Sequence, residues 1–118
     1  MQVKDLTGAA LDWAVAKCEG GLYQGPSVRD SFWVWPGDPV RYSKAAPAHS
    51  TDWALGGPLI EQEGINLSAH YKLHTGEWQA WCEHGPSAYG PTPLIAAMRC
   101  YVASKLGEEI VIPEELCE

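Results

Sequence analysis

Two stretches of the chain gather the residue types that hold an anion: Ser50-Thr51-Asp52-Trp53-Ala54-Leu55-Gly56-Gly57-Pro58-Leu59-Ile60-Glu61 and Gly90-Pro91-Thr92-Pro93-Leu94-Ile95-Ala96-Ala97-Met98-Arg99. Each sets hydroxyls, glycines and a proline ahead of an apolar run, the sequence signature of a helix start. A helix start exposes backbone N–H groups and the positive end of the helix dipole, which together attract phosphate or carboxylate. Ser50, Thr51, Asp52, Trp53, Gly56, Gly57, Thr92 and Arg99 are therefore the candidate ligand-binding residues. Each also has a structural reading. Ser50, Thr51 and Thr92 are helix caps or phosphate donors, and Asp52 either favours the dipole or meets a ribose hydroxyl. Trp53 is core or a platform on which a base stacks. Gly56-Gly57 is a turn or a place where a ligand approaches the backbone closely. Arg99 either grips a phosphate with its planar fork or pairs with a carboxylate.

The chemistry these residues offer is binding rather than reaction. The sequence has no Gly-x-Ser-x-Gly elbow, no Walker loop and no His-Glu-x-x-His pair. A small nucleotide hydrolase built from Asp52, Glu61 and Glu63 is the enzymatic alternative. No cofactor is expected. Cys18, Cys82, Cys100 and Cys117 lack the close Cys-x-x-Cys spacing of a zinc site and read as reduced thiols, with Cys18, Cys82 and Cys100 in expected helices and a strand where a buried Cys acts as a small hydrophobe. His70 and His74 fall in an expected strand, where four residues separate side chains by about 13 Å. No metal is expected either.

With 118 residues, 46% hydrophobic and 19% charged, the chain is sized and composed for a single folded domain, residues 1–118. Its net charge of −7 is concentrated in the second half, −6 over residues 60–118 against −1 over residues 1–59. A general DNA or RNA binder draws affinity from a basic face that this sequence lacks. No apolar run reaches the length of a membrane span, and the amino terminus has no secretory h-region, so a cytoplasmic protein is expected. Six Trp and five Tyr stand against one Phe, which suits ligand pockets and interfaces as well as a core.

The elements that must position these residues follow from capping and periodicity. Thr7 caps a helix over residues 8–19 that Gly20-Gly21 ends. Leu11, Ala14, Val15 and Cys18 form its core stripe, and Trp13 lies off it. Between residues 22 and 48, short strands surround Phe32-Trp33-Val34-Trp35, with Asp30 and Pro36-Gly37 as punctuation. Trp33 and Trp35 share a face of that run. With Trp13 they are the candidate interface residues, and the cover they call for suggests a homo-oligomer or docking on a host protein. Ser50 caps a short helix that Gly56-Gly57 interrupts, Pro58 opens a second one, and Gly64 ends it. Residues 65–73 and 77–82 read as a hairpin turning at Thr75-Gly76. Residues 83–91 read as a loop. Thr92 caps and Pro93 opens the longest helix, to Leu106, with Leu94, Ala97, Met98, Tyr101, Val102 and Lys105 facing the core and Arg99 off that stripe. Residues 110–112 suggest an edge strand, and residues 114–118 a frayed acidic tail. The order predicts an α+β fold, an antiparallel hairpin or sheet packed with an N-terminal and a long C-terminal helix.

The segment from Leu6 to Ala16, the segment from Ser50 to Glu61, and Gly90 to Gly107 together resemble the P22 NinX-like family of small phage and prophage proteins. The resemblance implies a phage accessory protein working in the bacterial host cytoplasm, and it implies no particular chemistry. Among phage accessory roles, capture of a nucleotide-derived immune signal matches the resources above: helix starts and Arg99 for phosphate, Trp for a base, Asp52 for a ribose hydroxyl. The expected function is binding of a small anionic, nucleotide-like ligand without turnover.

Overall fold

The structure, a computed structural model, describes residues 2–24, 32–35, 38–43, 47–69, 77–83 and 85–112. Among them the chain is α+β, with three α-helices and two three-stranded antiparallel sheets. The expected turn at Thr75-Gly76, the histidines His70 and His74, Asp30, Pro36-Gly37, Cys117 and the acidic tail lie outside the described residues.

The chain begins with one 3-10 turn, Val3–Asp5, and helix α1, Gly8–Cys18, with Thr7 at its N-cap. A first sheet follows: β1, Leu22–Gln24, β2, Phe32–Trp35, and β3, Asp38–Ser43, in that order. Helix α2, Trp53–Glu63, leads to the second sheet of β4, Ile65–Ala69, β5, Trp78–Cys82, and β6, Ser87–Gly90. Helix α3, Pro93–Leu106, closes the fold.

Helix α3 is the hub. It packs across the second sheet and against both other helices, so burial takes in Leu94 and every residue from Ala96 to Val102. The expectation of one stripe fails because a helix enclosed on several sides needs no polar face. Two residues change places as a result: Arg99 is buried, whereas Lys105 is exposed and pairs with Glu63 at 2.8 Å. The start reads as its sequence does, with Thr92 Oγ1 accepting the Ile95 N–H at 3.1 Å and Pro93 in the first turn.

Helix α2 departs from expectation in three ways. Asp52, not Ser50, is its N-cap and accepts the Ala54 N–H at 2.9 Å. Gly56-Gly57 does not interrupt it, and Pro58 lies inside one continuous helix. The reason is packing: a Cβ at Gly56 would sit 2.6 Å from Leu94 Cδ2 and 2.7 Å from the His49 carbonyl oxygen. Glycine is there to let α2 and α3 close on each other. Gly64 ends α2 in the left-handed conformation, φ 64°, as expected of a C-cap.

Strand β6 falls where the sequence suggests a loop. Its alternation is carried by small residues, Ala88 and Gly90 inward and Ser87 and Tyr89 outward, which gives a weak hydrophobic signal. Residues 110–112 form no strand. The pairing occurs just before them, where Val3 N–H donates to the Glu108 carbonyl at 2.8 Å and Gln2 bridges Glu109.

The first sheet is held to α1 by tryptophans. Trp13 meets Trp33 edge to face, with ring centroids 5.9 Å apart, and Trp33 lies 6.4 Å from Trp35. All three are buried. The aromatic face expected to need a partner is interior, so these residues supply no argument for an oligomer or a docking surface. Among the described residues, no helix is long and apolar enough to cross a membrane.

Candidate functional site

The first turns of α2 and α3 pack together, since a Cβ at Gly56 would sit 2.6 Å from Leu94 and 3.6 Å from Met98. Most of their backbone amides are nonetheless engaged within the chain. The Ser50 N–H donates to the Asp12 carboxylate at 2.8 Å, and the amides of Thr51 and Asp52 donate to the Ala48 carbonyl. Ala54 is bonded to the Asp52 side chain, and Leu55 and Gly56 to the Asp52 carbonyl. Thr92 is occupied with capping. Of the residues chosen from sequence around α2, Thr51 and Asp52 are exposed, Ser50 and Gly56 are buried, and Gly57 is half-buried. Trp53 is 53% exposed and lies against Gly57 one turn further on.

Beneath this helix start is a polar network that sequence reasoning missed. His49 is 2% exposed, its Nε2 on the Glu19 carboxylate at 2.5 Å and its Nδ1 on the Pro47 carbonyl at 3.1 Å. Burial alone would lower its pKa. The bond and charge of Glu19 outweigh that and, with the Pro47 carbonyl and Asp12, raise it. Both ring nitrogens face acceptors, the arrangement an imidazolium satisfies. Burial likewise raises Asp12, opposed by the Ser50 N–H and hydroxyl and by His49. An acid among the apolar residues of α1 was the available signal. The network ties α1 to the entry of α2.

A cavity lies elsewhere, between the 3-10 turn, β6 and α3. It has a volume of about 610 Å³, and its wall includes Lys4, Glu77, Ser87, Tyr89, Arg99 and Glu108. Arg99 is 9% exposed. Its Nε donates to the Leu6 carbonyl at 2.9 Å and its Nη1 to the Tyr89 carbonyl at 2.7 Å. Among the described residues these bonds run to main-chain carbonyls and to no carboxylate. Burial lowers the Arg99 pKa, while the charges of Asp5 and Glu77 act the other way. An arginine stays protonated under such shifts, so the wall carries a fixed, oriented cation.

Of the sequence-chosen ligand residues, Arg99 alone is on this wall, and Ser50, Thr51, Asp52, Trp53, Gly56, Gly57 and Thr92 are not. Lys4, Glu77, Ser87, Tyr89 and Glu108 were missed because they come from four separate segments that only the fold assembles. The hydrolase set is not gathered either. Asp52 caps one end of α2 and Glu63 pairs with Lys105 at the other, about 15 Å away along an 11-residue helix.

No curated protein matches this chain at a significant level. A family model, "Bacteriophage P22, NinX", matches residues 2–105, a span that includes α1, α2, both sheets and nearly all of α3. The match runs through the segments whose resemblance is noted above, and the chain belongs to the NinX family of bacteriophage P22.

Proposed function

We propose that this phage protein binds a small anionic, nucleotide-derived ligand in the cavity over Arg99 and retains it without turnover. The observation that carries this reading is a guanidinium buried in the wall of an approximately 610 Å³ cavity and held by two main-chain carbonyls. Desolvating an arginine is costly, and a surface pair would have avoided that cost. A cation fixed in this way is already oriented for a phosphate. Lys4 adds a second positive charge on the same wall. Glu77 and Glu108 suit ribose hydroxyls or the amino group of a base, and the Tyr89 ring offers a flat apolar surface. The volume falls within the range of small-molecule sites. For a phage protein, holding a nucleotide-derived host signal out of solution is a role this binding serves.

The test is isothermal titration with a panel of nucleoside monophosphates, cyclic dinucleotides and ADP-ribose. Lys4→Ala and Arg99→Lys are each expected to weaken the binding nucleotide by about tenfold or more. Trp53→Ala, away from the cavity, is expected to leave it unchanged. Loss of binding in Trp53→Ala with none in the other two variants would overturn the assignment.

A further inference from the structure

The sulfur atoms of Cys82, at the end of β5, and Cys100, in the middle of α3, are 3.4 Å apart. We propose that these two residues are a modification site, a dithiol that a small-molecule disulfide oxidises to an intramolecular disulfide bond. The proposal is independent of the ligand-binding reading. Three observations support it. First, the sulfurs are in contact already, and closing from 3.4 Å to a covalent S–S bond of about 2.05 Å is a short movement. Second, the Cys82 N–H and the Cys100 thiol both point to the Pro86 carbonyl, at 3.3 and 3.5 Å, so the β5–β6 turn holds the two residues in register. Third, the two thiols differ in the way sequential exchange requires. Cys82 is half-buried and the more accessible of the two to an outside disulfide, whereas Cys100 is fully buried beside it. Burial and the adjacent Cys82 push the Cys100 thiol up to about 12, so it stays protonated and is not the thiol that attacks the outside disulfide.

The Cys82 thiolate attacks one sulfur of the small disulfide, releasing one thiol and leaving a mixed disulfide. The Cys100 sulfur then attacks the Cys82 sulfur and expels the second small thiolate, which leaves with the Cys100 proton. Two protein S–H bonds and one small-molecule S–S bond break, and one protein S–S bond and two small-molecule S–H bonds form. The product fastens the β5–β6 turn to α3. That turn leads into Ser87 and Tyr89, and Cys100 follows Arg99, so the new bond stiffens one wall of the cavity.

The experiment treats the full chain with oxidised glutathione, blocks remaining thiols with an alkylating reagent, and maps the digest by mass spectrometry without reduction. The expected product joins the Cys82 and Cys100 peptides within one chain, two hydrogens lighter than their sum. It is accompanied by a rise in Tm of about 5 °C or more that dithiothreitol reverses. Cys18→Ser is expected to keep both signals, and Cys82→Ser to lose both. Cys82 and Cys100 recovered alkylated, a glutathione adduct that never closes, or linkage to Cys18, Cys117 or a second chain would overturn the proposal.

Discussion

At the scale of single residues, buried charge in this protein is organised by specific acceptors. Arg99 is anchored by the Leu6 and Tyr89 carbonyls, and His49 is set between the Glu19 carboxylate and the Pro47 carbonyl. The second arrangement makes stability depend on pH. Burial opposes the charged ring, but Glu19 more than compensates, so folded His49 holds its proton more tightly than the unfolded chain does. The folded state then binds more protons than the unfolded one in that range, and stability falls as pH rises. The contribution is complete below about pH 6.5, the unfolded value, and is lost as pH passes through the raised folded value. His49→Gln should lower stability by about 2 kcal/mol at pH 6, and the gap to the parent protein should narrow toward pH 9 in urea titrations. A gap that stays constant with pH would show that His49 is uncharged in the folded chain. None of this was legible in sequence, where His49 was one loop residue before an expected cap. The partners Asp12, within α1, and Glu19, at its C-cap, come about thirty or more residues earlier. Arg99 was legible as a candidate from its type, but its burial was not, because an arginine off the core stripe ordinarily faces water.

Among the elements, sequence served best where local chemistry decides the outcome. The Thr92 cap, the Pro93 start and the Gly64 stop follow from capping rules and the structure keeps them, and the first helix forms where expected although the Thr7 side chain makes no capping hydrogen bond. It served poorly where tertiary packing overrides propensity. Gly56-Gly57-Pro58 reads as a break, yet α2 runs through it because Gly56 lets the helix press against α3 and the His49 carbonyl. Strand β6 was hidden for the opposite reason, since its inward residues are too small to announce a core. The neighbouring glycines of α2 give a paired prediction. Gly56→Ala forces a methyl to within 2.6 Å of Leu94 Cδ2 and should cost about 1–3 kcal/mol. At Gly57 the nearest atom to a new Cβ is Trp53 Cε3, 4.0 Å away, so Gly57→Ala should gain about 0.5–1 kcal/mol from helix propensity alone. Thermal melts of the two variants check the signs, and equal effects would mean that the close approach of α2 to α3 is not what selects glycine.

For the whole molecule, the net charge of −7 sets the context in which the buried Arg99 cation acts. An acidic chain repels polyanions at long range, while a single small anion needs only a local site that excludes water and fixes a positive group. Fold class and broad composition were legible in sequence because they are sums over many residues. The cavity was not, since its wall joins the amino-terminal turn, the segment before β5, β6 itself, α3 and the residues after it. The tryptophans that suggested an exposed face instead fasten the first sheet to α1. The space over Arg99 is proposed to hold a small anion. The most direct measurement is to purify the protein from a bacterial lysate, denature it, and identify released small molecules by ultraviolet absorbance and mass spectrometry. The account predicts a nucleotide released in stoichiometric amount by the parent protein and much reduced in Arg99→Lys. An empty parent protein whose Tm is unmoved by the nucleotide panel would contradict it.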